Sequence, residues 1–194
     1  MNFLENINLK FPHISEIILQ ELDDQSLTEC RKVSRSMCNF IDNTKIPWMR
    51  MINKHMGDNE QLQKSWTKVL HKCNVEIIRQ LALTVNLFQM YMCNGTTPLH
   101  FAVRSGQTNV FMDIFQRSED KNPSDDSGVT PLHIAAEKGH LSWYKAIMKN
   151  LEDKNPKNKS GFTPLHRAAY RGYLPMCKLI MKHLEDKNPK NNAG

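Results

Sequence analysis

The chain has 194 residues, of which 40% are hydrophobic and 24% are charged, and its formal net charge is +6. This composition is typical of a globular protein and excludes an intrinsically disordered chain. No apolar stretch approaches the roughly 18 residues that a membrane-spanning helix needs, so the sequence predicts no membrane span.

The first predicted elements are three short helices in the N-terminal segment. Phe11-Pro12 opens the first helix, Ser26-Leu-Thr-Glu29 is a capping box that begins the second, and Ser34-Arg35 leads into the third. Three such helices make a very small core, which would gain from a binding partner. At helical spacing, their apolar faces carry Ile14, Ile17, Ile18 and Leu22, then Leu27, Cys30 and Val33, then Met37, Phe40 and Ile41.

These features together resemble an F-box over residues 9–52. The resemblance rests on the Phe-Pro pair, on Ile-Ile-Leu-x-x-Leu, on Asp-Asp-x-Ser-Leu-x-x-Cys-x-x-Val-Ser-Arg and on Trp48. In that family the motif docks onto the Skp-type adaptor of cullin-RING ubiquitin ligases. The alternative is an apolar stripe that closes an ordinary helical domain. By the resemblance, the adaptor-docking face would consist of Pro12, Ile18, Leu22, Leu27, Val33 and Arg35.

Residues 53–93 are predicted to form a helical connector. Trp66, Val69 and Leu70 indicate one helix, and Asn74 can cap a second helix whose apolar stripe extends to Phe88. This stripe ends just before the repeats described next, so we expect the helix to pack against them as an N-terminal cap. A rigid junction would follow, because no Gly/Ser-rich or Pro-rich linker is present.

Residues 94–194 repeat with a period of 33 residues. Such a period indicates a stacked-repeat solenoid, and with this tetrad it resembles the ankyrin repeat. The resemblance implies an all-α fold in which each unit is a helix pair followed by a short β-hairpin finger. Thr-Pro-Leu-His starts at Thr97, Thr130 and Thr163; Glu-Asp-Lys-Asn-Pro starts at Glu119, Glu152 and Glu185; and Gly95, Gly128, Gly161 and Gly194 share one phase.

The tetrad predicts how the first helix of each unit begins. Threonine suits the N-cap and proline suits the first helical position, where its missing N–H costs nothing. The histidine of the tetrad can bond the neighbouring backbone or the threonine of the adjacent repeat. A glycine is expected to end each of these helices in the left-handed conformation; the three glycines are Gly106, Gly139 and Gly172.

The positions that differ between the units are the candidates for target binding. On the ankyrin fold they lie on or beside the concave face of the first helices, which is the usual partner surface. Arg and Tyr are enriched among interface anchors, so Arg167, Tyr170 and Arg171 are the strongest candidates. The alternative is an unconstrained surface. The predicted target-binding residues are Phe101, Arg104, Glu137, Lys138, Arg167, Tyr170 and Arg171.

The two resemblances together imply the substrate receptor of a cullin-RING ubiquitin ligase. The F-box would bind the Skp-type adaptor, and the repeats would hold an unknown protein target. The alternative is an ankyrin scaffold or an inhibitory binding protein with no link to a ligase.

We expect no catalytic activity, no cofactor and no metal ion. The sequence has no Gly-rich phosphate loop, no His-Glu-x-x-His motif and no nucleophile elbow. His100, His133 and His166 would lie on successive helices about 8–10 Å apart, which is too far to share one zinc ion.

Nucleic-acid binding is also not expected, although most of the positive charge lies in residues 94–194. The lysines recur with the repeat beside acidic residues, and no series of aromatic residues accompanies them for base stacking. The five cysteines form no Cys-x-x-Cys pair, which favours reduced thiols. Reduced thiols predict a protein of the cytoplasm or nucleus, and we also expect a monomer.

The period also places Gly194 directly before the position of a fourth tetrad. Natural arrays end in a polar capping repeat, whereas Met176, Leu179 and Ile180 would have no successor to cover them. We therefore expect that the chain is a fragment, or that another feature protects the end of the stack.

Overall fold

The structure is a computed structural model that describes residues 12–33, 39, 41, 43–87 and 95–193. The described residues form eleven α-helices and no β-strand, which confirms the all-α class. Within these residues, no helix combines the length and the apolar character needed to cross a membrane.

The helices are numbered in chain order. Among the described residues, five helices with defined bounds precede the repeats: α1 (Pro12–Glu21), α2 (Asp24–Val33), α3 (Ile46–Met56), α4 (Glu60–Leu70) and α5 (Val75–Leu87). The other six form three successive pairs: α6 (Pro98–Ser105) with α7 (Thr108–Arg117), α8 (Pro131–Lys138) with α9 (Leu141–Met148), and α10 (Pro164–Tyr170) with α11 (Leu174–Met181). We call α6, α8 and α10 the inner helices, and α7, α9 and α11 the outer helices.

The start of α2 differs from the sequence prediction. Asp23, not Ser26, provides the cap, because its Oδ1 accepts a hydrogen bond from the Ser26 N–H at 2.6 Å. Ser26 therefore lies inside the first turn, and the predicted capping box is wrong. That backbone N–H holds the pKa of Asp23 below its usual value, as expected for a carboxylate at a helix N-terminus.

The N-terminal helices share a small apolar cluster. Its buried members are Leu19, Leu27 and Ile41, and Leu22 and Cys30 are among the partly buried residues around it. Of the predicted third helix, residues 34–38 and Phe40 lie outside the described residues.

The predicted connector contains the two expected helices, α4 and α5. The Asn74 Oδ1 accepts a hydrogen bond from the Ile77 N–H at 3.0 Å, so the predicted cap of α5 is confirmed. Phe88 lies outside the described residues. A further helix, α3, precedes them and continues without a break past residue 52.

One apolar core extends from Ile52 in α3 to Ile180 in α11. Helix α5 packs against α3 and also against α6 and α7, which confirms that it covers the first repeat. The fully buried Trp66 of α4 reinforces this contact, because its Nε1–H donates to the Thr96 carbonyl at 2.6 Å. The N-terminal part and the repeats are therefore joined by packed helices.

In the repeats, each inner helix packs against the next, α6 on α8 and α8 on α10. Thr97, Thr130 and Thr163 are extended N-cap residues, as predicted. Gly106 and Gly139 are left-handed C-caps with φ of 72° and 71°. In the third unit α10 ends at Tyr170 with Arg171 as its cap, and the predicted left-handed glycine follows at once, since Gly172 has a φ of 72°.

The fingers between the pairs are hydrogen-bonded turns. In the first finger the Asp125 N–H donates to the Val129 carbonyl at 2.9 Å, and the Asp125 carbonyl accepts from the Gly128 N–H at 2.8 Å. No strand is assigned to any described finger residue, so the predicted β-hairpins are turns without regular strands. Successive fingers are stacked through the Lys159 N–H, which donates to the Ser127 carbonyl at 3.0 Å.

Candidate protein-interaction surfaces

The predicted adaptor-docking residues are unequally exposed. Ile18 and Leu22 are half-buried, and the neighbouring Ile17 is 55% exposed. Leu27 is only 4% exposed because it packs beside Leu19 and Ile41 in the small cluster. Leu27 is therefore a core residue of this region and contributes no exposed surface. This corrects its prediction as a residue of the adaptor-docking face.

The other predicted docking residues are only partly described. Pro12 begins α1 and Val33 ends α2, which fits the helical prediction, but their side chains are outside the described part of the chain. Arg35 lies outside the described residues altogether.

Arg50 of α3 holds the α1–α2 corner in place. Its Nη2 donates to the carbonyls of Leu19 at 3.2 Å and Gln20 at 2.6 Å, and its Nη1 lies 3.5 Å from the Asp24 carboxylate. The last carbonyls of a helix have no partner within the helix and favour a cation. Sequence reasoning missed this role, because the partners lie about thirty residues away along the chain.

The tetrad histidines link successive repeats. The Thr97 N–H donates to Nδ1 of His100 at 3.1 Å, and Nε2 lies 3.0 Å from the Val129 carbonyl. Because a carbonyl can only accept, the neutral ring must carry its proton on Nε2. The onward partner is thus the carbonyl of the residue before the next threonine, not that threonine itself.

His133 makes the same two contacts one repeat later. The Thr130 N–H lies 3.2 Å from its Nδ1, and the Phe162 carbonyl lies 3.1 Å from its Nε2. Burial lowers the pKa of His133 to about 4, although the carbonyl bond favours the protonated form. Both nitrogens of the ring are occupied, and the described residues contain no group of three or more His, Cys, Asp or Glu that could hold a metal ion.

The recurring pentapeptide Glu-Asp-Lys-Asn-Pro is also used within the fold. Lys121 donates to the Ser118 carbonyl at 2.7 Å, and Lys154 donates to the Met148 carbonyl at 2.9 Å, after α7 and at the end of α9 respectively. Asn122 accepts from the Leu132 N–H at 2.9 Å and so helps to cap α8. These lysines are therefore structural and do not form a basic binding face.

Phe101 is not part of the exposed inner-helix surface. It is completely buried and meets the Trp66 ring edge-on, with ring centroids 5.6 Å apart. Helix α4 covers this position, which corrects its assignment as a target-binding residue. Ile134, which holds the same place in the second unit, is also buried.

The structure brings three predicted target-binding residues into one ion cluster. The Arg171 Nη2 lies 2.7 Å from Glu137 Oε1, and the Arg167 Nη1 lies 3.7 Å from Glu137 Oε2. Burial opposes ionisation of Glu137, but the Arg171 hydrogen bond and the charges of both arginines hold its pKa below the usual value. Of the other candidates, Lys138 is exposed and Arg104 is half-buried.

Two exposed aromatic rings flank this cluster. Tyr170 is 85% exposed, and the Arg171 guanidinium carbon lies 5.8 Å from the centre of its ring. Phe162 is 39% exposed, and the Arg167 guanidinium carbon lies 6.0 Å from its ring centre. The sequence analysis did not select Phe162. Its equivalents in the other units are Thr96 and Val129, so an aromatic residue at this variable position could have marked it as a candidate.

Two known protein families match this chain, one in its N-terminal helices and one in its repeats. The family model for the F-box domain matches residues 9–49, and the model for ankyrin repeats matches residues 111–191. The chain joins an F-box domain to C-terminal ankyrin repeats. No curated protein matches it.

Both domains are protein-interaction modules. F-box domains generally bind Skp-type adaptors, and ankyrin repeats mediate protein binding, so the chain is a protein-interaction adaptor. The ankyrin match begins inside α7, but α6 carries the same Thr–His capping box as α8 and α10. The structure therefore extends the repeated unit upstream to Thr97.

Proposed function

We propose that this protein is the substrate receptor of a cullin-RING ubiquitin ligase in the cytoplasm or nucleus. The observation that carries the proposal is the combination of an F-box with ankyrin repeats on helices packed one against the next, α1 on α3, α3 on α5 and α5 on α6. In this reading, residues 9–52 dock the adaptor, residues 53–93 connect, and residues 94–194 bind the target.

The mechanism is proximity. A target held on the repeats experiences a high effective concentration of the ubiquitin-charged enzyme that the adaptor and cullin bring to the complex. The packed junction supports this role, because a fixed geometry limits the volume in which the target moves. No group of this chain needs to take part in the chemistry.

The proposed adaptor-docking face is centred on α1. Its apolar surface comes from Ile17, Ile18 and Leu22. The buried Leu27 packs behind this surface, and Arg50 bonds the last carbonyls of α1. By the F-box resemblance, Pro12, Val33 and Arg35 complete this face. The proposed target face lies on the inner helices and contains Arg104, Glu137, Lys138, Arg167, Tyr170 and Arg171.

Co-purification with a Skp-type adaptor tests the proposal. We expect the wild-type chain to recover the adaptor and the double variant Pro12→Ala/Leu22→Ala to recover at least tenfold less, since interface anchors cost more than about 1.4 kcal/mol when truncated. Tyr170→Ala is the control, because it lies in the third repeat, away from α1, and should leave recovery unchanged.

Failure of the wild-type chain to recover any adaptor would contradict the ligase proposal and favour a plain ankyrin scaffold. Circular dichroism of the double variant separates loss of binding from loss of folding.

A further inference from the structure

The second and third repeats share a continuous series of contacts between side chains that are each at least partly exposed. The series runs from the Phe162 ring to Arg167, from Arg167 to Glu137, from Glu137 to Arg171, and from Arg171 to the Tyr170 ring. We call these five residues the aromatic–arginine patch. Its members come from two successive inner helices and one finger, so it exists only when the repeats are stacked.

The fold does not depend on the Tyr170 side chain. At 85% exposure the ring contributes little apolar burial to the chain, and the same place holds Arg104 and Glu137 in the first and second units. Tyrosine and arginine anchors are typical of binding hot spots. An exposed ring held beside a guanidinium supplies both apolar area and hydrogen-bond donors.

Glu137 orders the two arginines before any partner arrives. A guanidinium has five N–H donors in a planar fork that suits a carboxylate. The contacts to Glu137 use only part of this capacity and fix the side chains, which lowers the entropy cost of binding. The patch keeps a net charge of +1, and the adjacent exposed Lys138 raises it to +2.

We propose that the aromatic–arginine patch binds an acidic protein segment in which Asp or Glu alternates with an aromatic or large aliphatic residue. This inference rests on the proposed function, since it names the chemistry of the target held by the repeats. The acidic residues pair with Arg167, Arg171 and Lys138, and the apolar residue lies on Tyr170 or Phe162. The net positive charge of the patch is complementary to this segment.

The charge pattern disfavours a nucleic acid. Binding to nucleic acid relies on several cations that neutralise consecutive phosphates, whereas this patch has a carboxylate, Glu137, at its centre. Two of the recurring lysines, Lys121 and Lys154, are also engaged within the fold, since they bond backbone carbonyls of the chain.

A display library of random linear peptides, selected on the full chain, supplies the probe. We expect the enriched peptides to combine Asp or Glu with an aromatic or large aliphatic residue. One enriched peptide, labelled with fluorescein, is then titrated against the wild type, Tyr170→Ala, Arg171→Gln and the control Lys182→Ala. We expect each patch variant to lose about tenfold in affinity and the exposed control to lose nothing.

The inference is overturned if no peptide is enriched, if the enriched peptides are basic, or if both patch variants bind as tightly as the wild type. Tighter binding of a single-stranded oligothymidylate than of the peptide would also overturn it. Because the adaptor binds at the other end of the chain, recovery of the adaptor alongside any of these results would reject the patch and leave the ligase proposal intact.

Discussion

At the scale of single residues, the repeated amino acids serve the fold, whereas only some of the variable ones, such as Tyr170 and Arg171, lie on the surface. Thr97 and His100 bond one another and reach the next unit, and Asn122 caps the following inner helix. These residue types recur because each repeat must satisfy the same backbone groups. Tyr170 differs, because its ring is 85% exposed, and the Arg171 side chain bonds Glu137 rather than a backbone group.

The buried histidines make stability depend on pH. The pKa of His133 is about 4 in the folded chain and about 6.5 in an unfolded one, so the unfolded state takes up the proton first as the pH falls. The contribution of neutral His133 to stability is therefore full above about pH 6.5 and is lost progressively towards pH 4, by about 3 kcal/mol. Burial lowers the pKa of His100 as well, which adds a loss of the same sign.

The variant His133→Gln isolates this effect. Glutamine can take the capping role at this position but does not titrate, so we expect a smaller loss of stability between pH 7 and pH 5 than in the wild type. Urea unfolding at each pH measures the difference, with His71→Gln on the surface as the control. An unchanged pH dependence in His133→Gln would show that this ring does not set the acid sensitivity.

At the scale of elements, the fingers explain the recurring glycine. Gly128 has a φ of 74°, and a Cβ placed on it would lie 2.9 Å from the Lys159 backbone nitrogen of the next finger. Gly161 repeats this with a Cβ position 2.6 Å from the Asn192 nitrogen. Glycine is needed there both for its backbone conformation and for the close approach of the next finger.

Gly128→Ala and Gly106→Ala separate these two requirements. Gly106 has nearly the same φ, 72°, but no atom lies within 4 Å of its Cβ position. We expect Gly106→Ala to cost about 1 kcal/mol from the left-handed backbone alone and Gly128→Ala about 3 kcal/mol, because the fingers must also move apart. Chemical denaturation measures both, and equal losses would argue against the close approach as a constraint.

At the scale of the whole molecule, the continuous core couples the connector to the repeats. Trp66 lies fully buried at that junction, with its indole N–H on the Thr96 carbonyl and its ring against Phe101. A substitution of Trp66 should therefore destabilise both the connector and the first repeat.

We expect Trp66→Ala to cost about 3–5 kcal/mol through the cavity and the unpaired carbonyl. Met112→Ala is the control, since that side chain is 44% exposed on α7 and should cost less than about 1 kcal/mol. Thermal unfolding followed by circular dichroism measures both variants. A loss in Trp66→Ala no larger than in the control would mean that α4 is not an integral cap.

The elements that could be predicted from the sequence are those that recur with the 33-residue period or follow local rules of helix capping. The period placed the inner helices and their threonine caps, and Asn74 marked the start of α5. It misplaced the cap of α2, because Asp23 and Ser26 both suit that role and only the backbone geometry selects Asp23. The burial of Phe101 and the pairing of Glu137 with two arginines could not be predicted, since both depend on neighbours from other units.

The stacking of the fingers has a consequence for the reach of the molecule. The bond from the Lys159 N–H to the Ser127 carbonyl is followed one period later by the bond from the Asn192 N–H to the Ser160 carbonyl. A second copy of residues 130–162, inserted after the first, would thus meet matching backbone partners on both of its sides. Each added copy would carry Tyr170 roughly 10 Å further from the F-box, so the number of repeats would set the distance between the proposed adaptor-docking and target-binding faces.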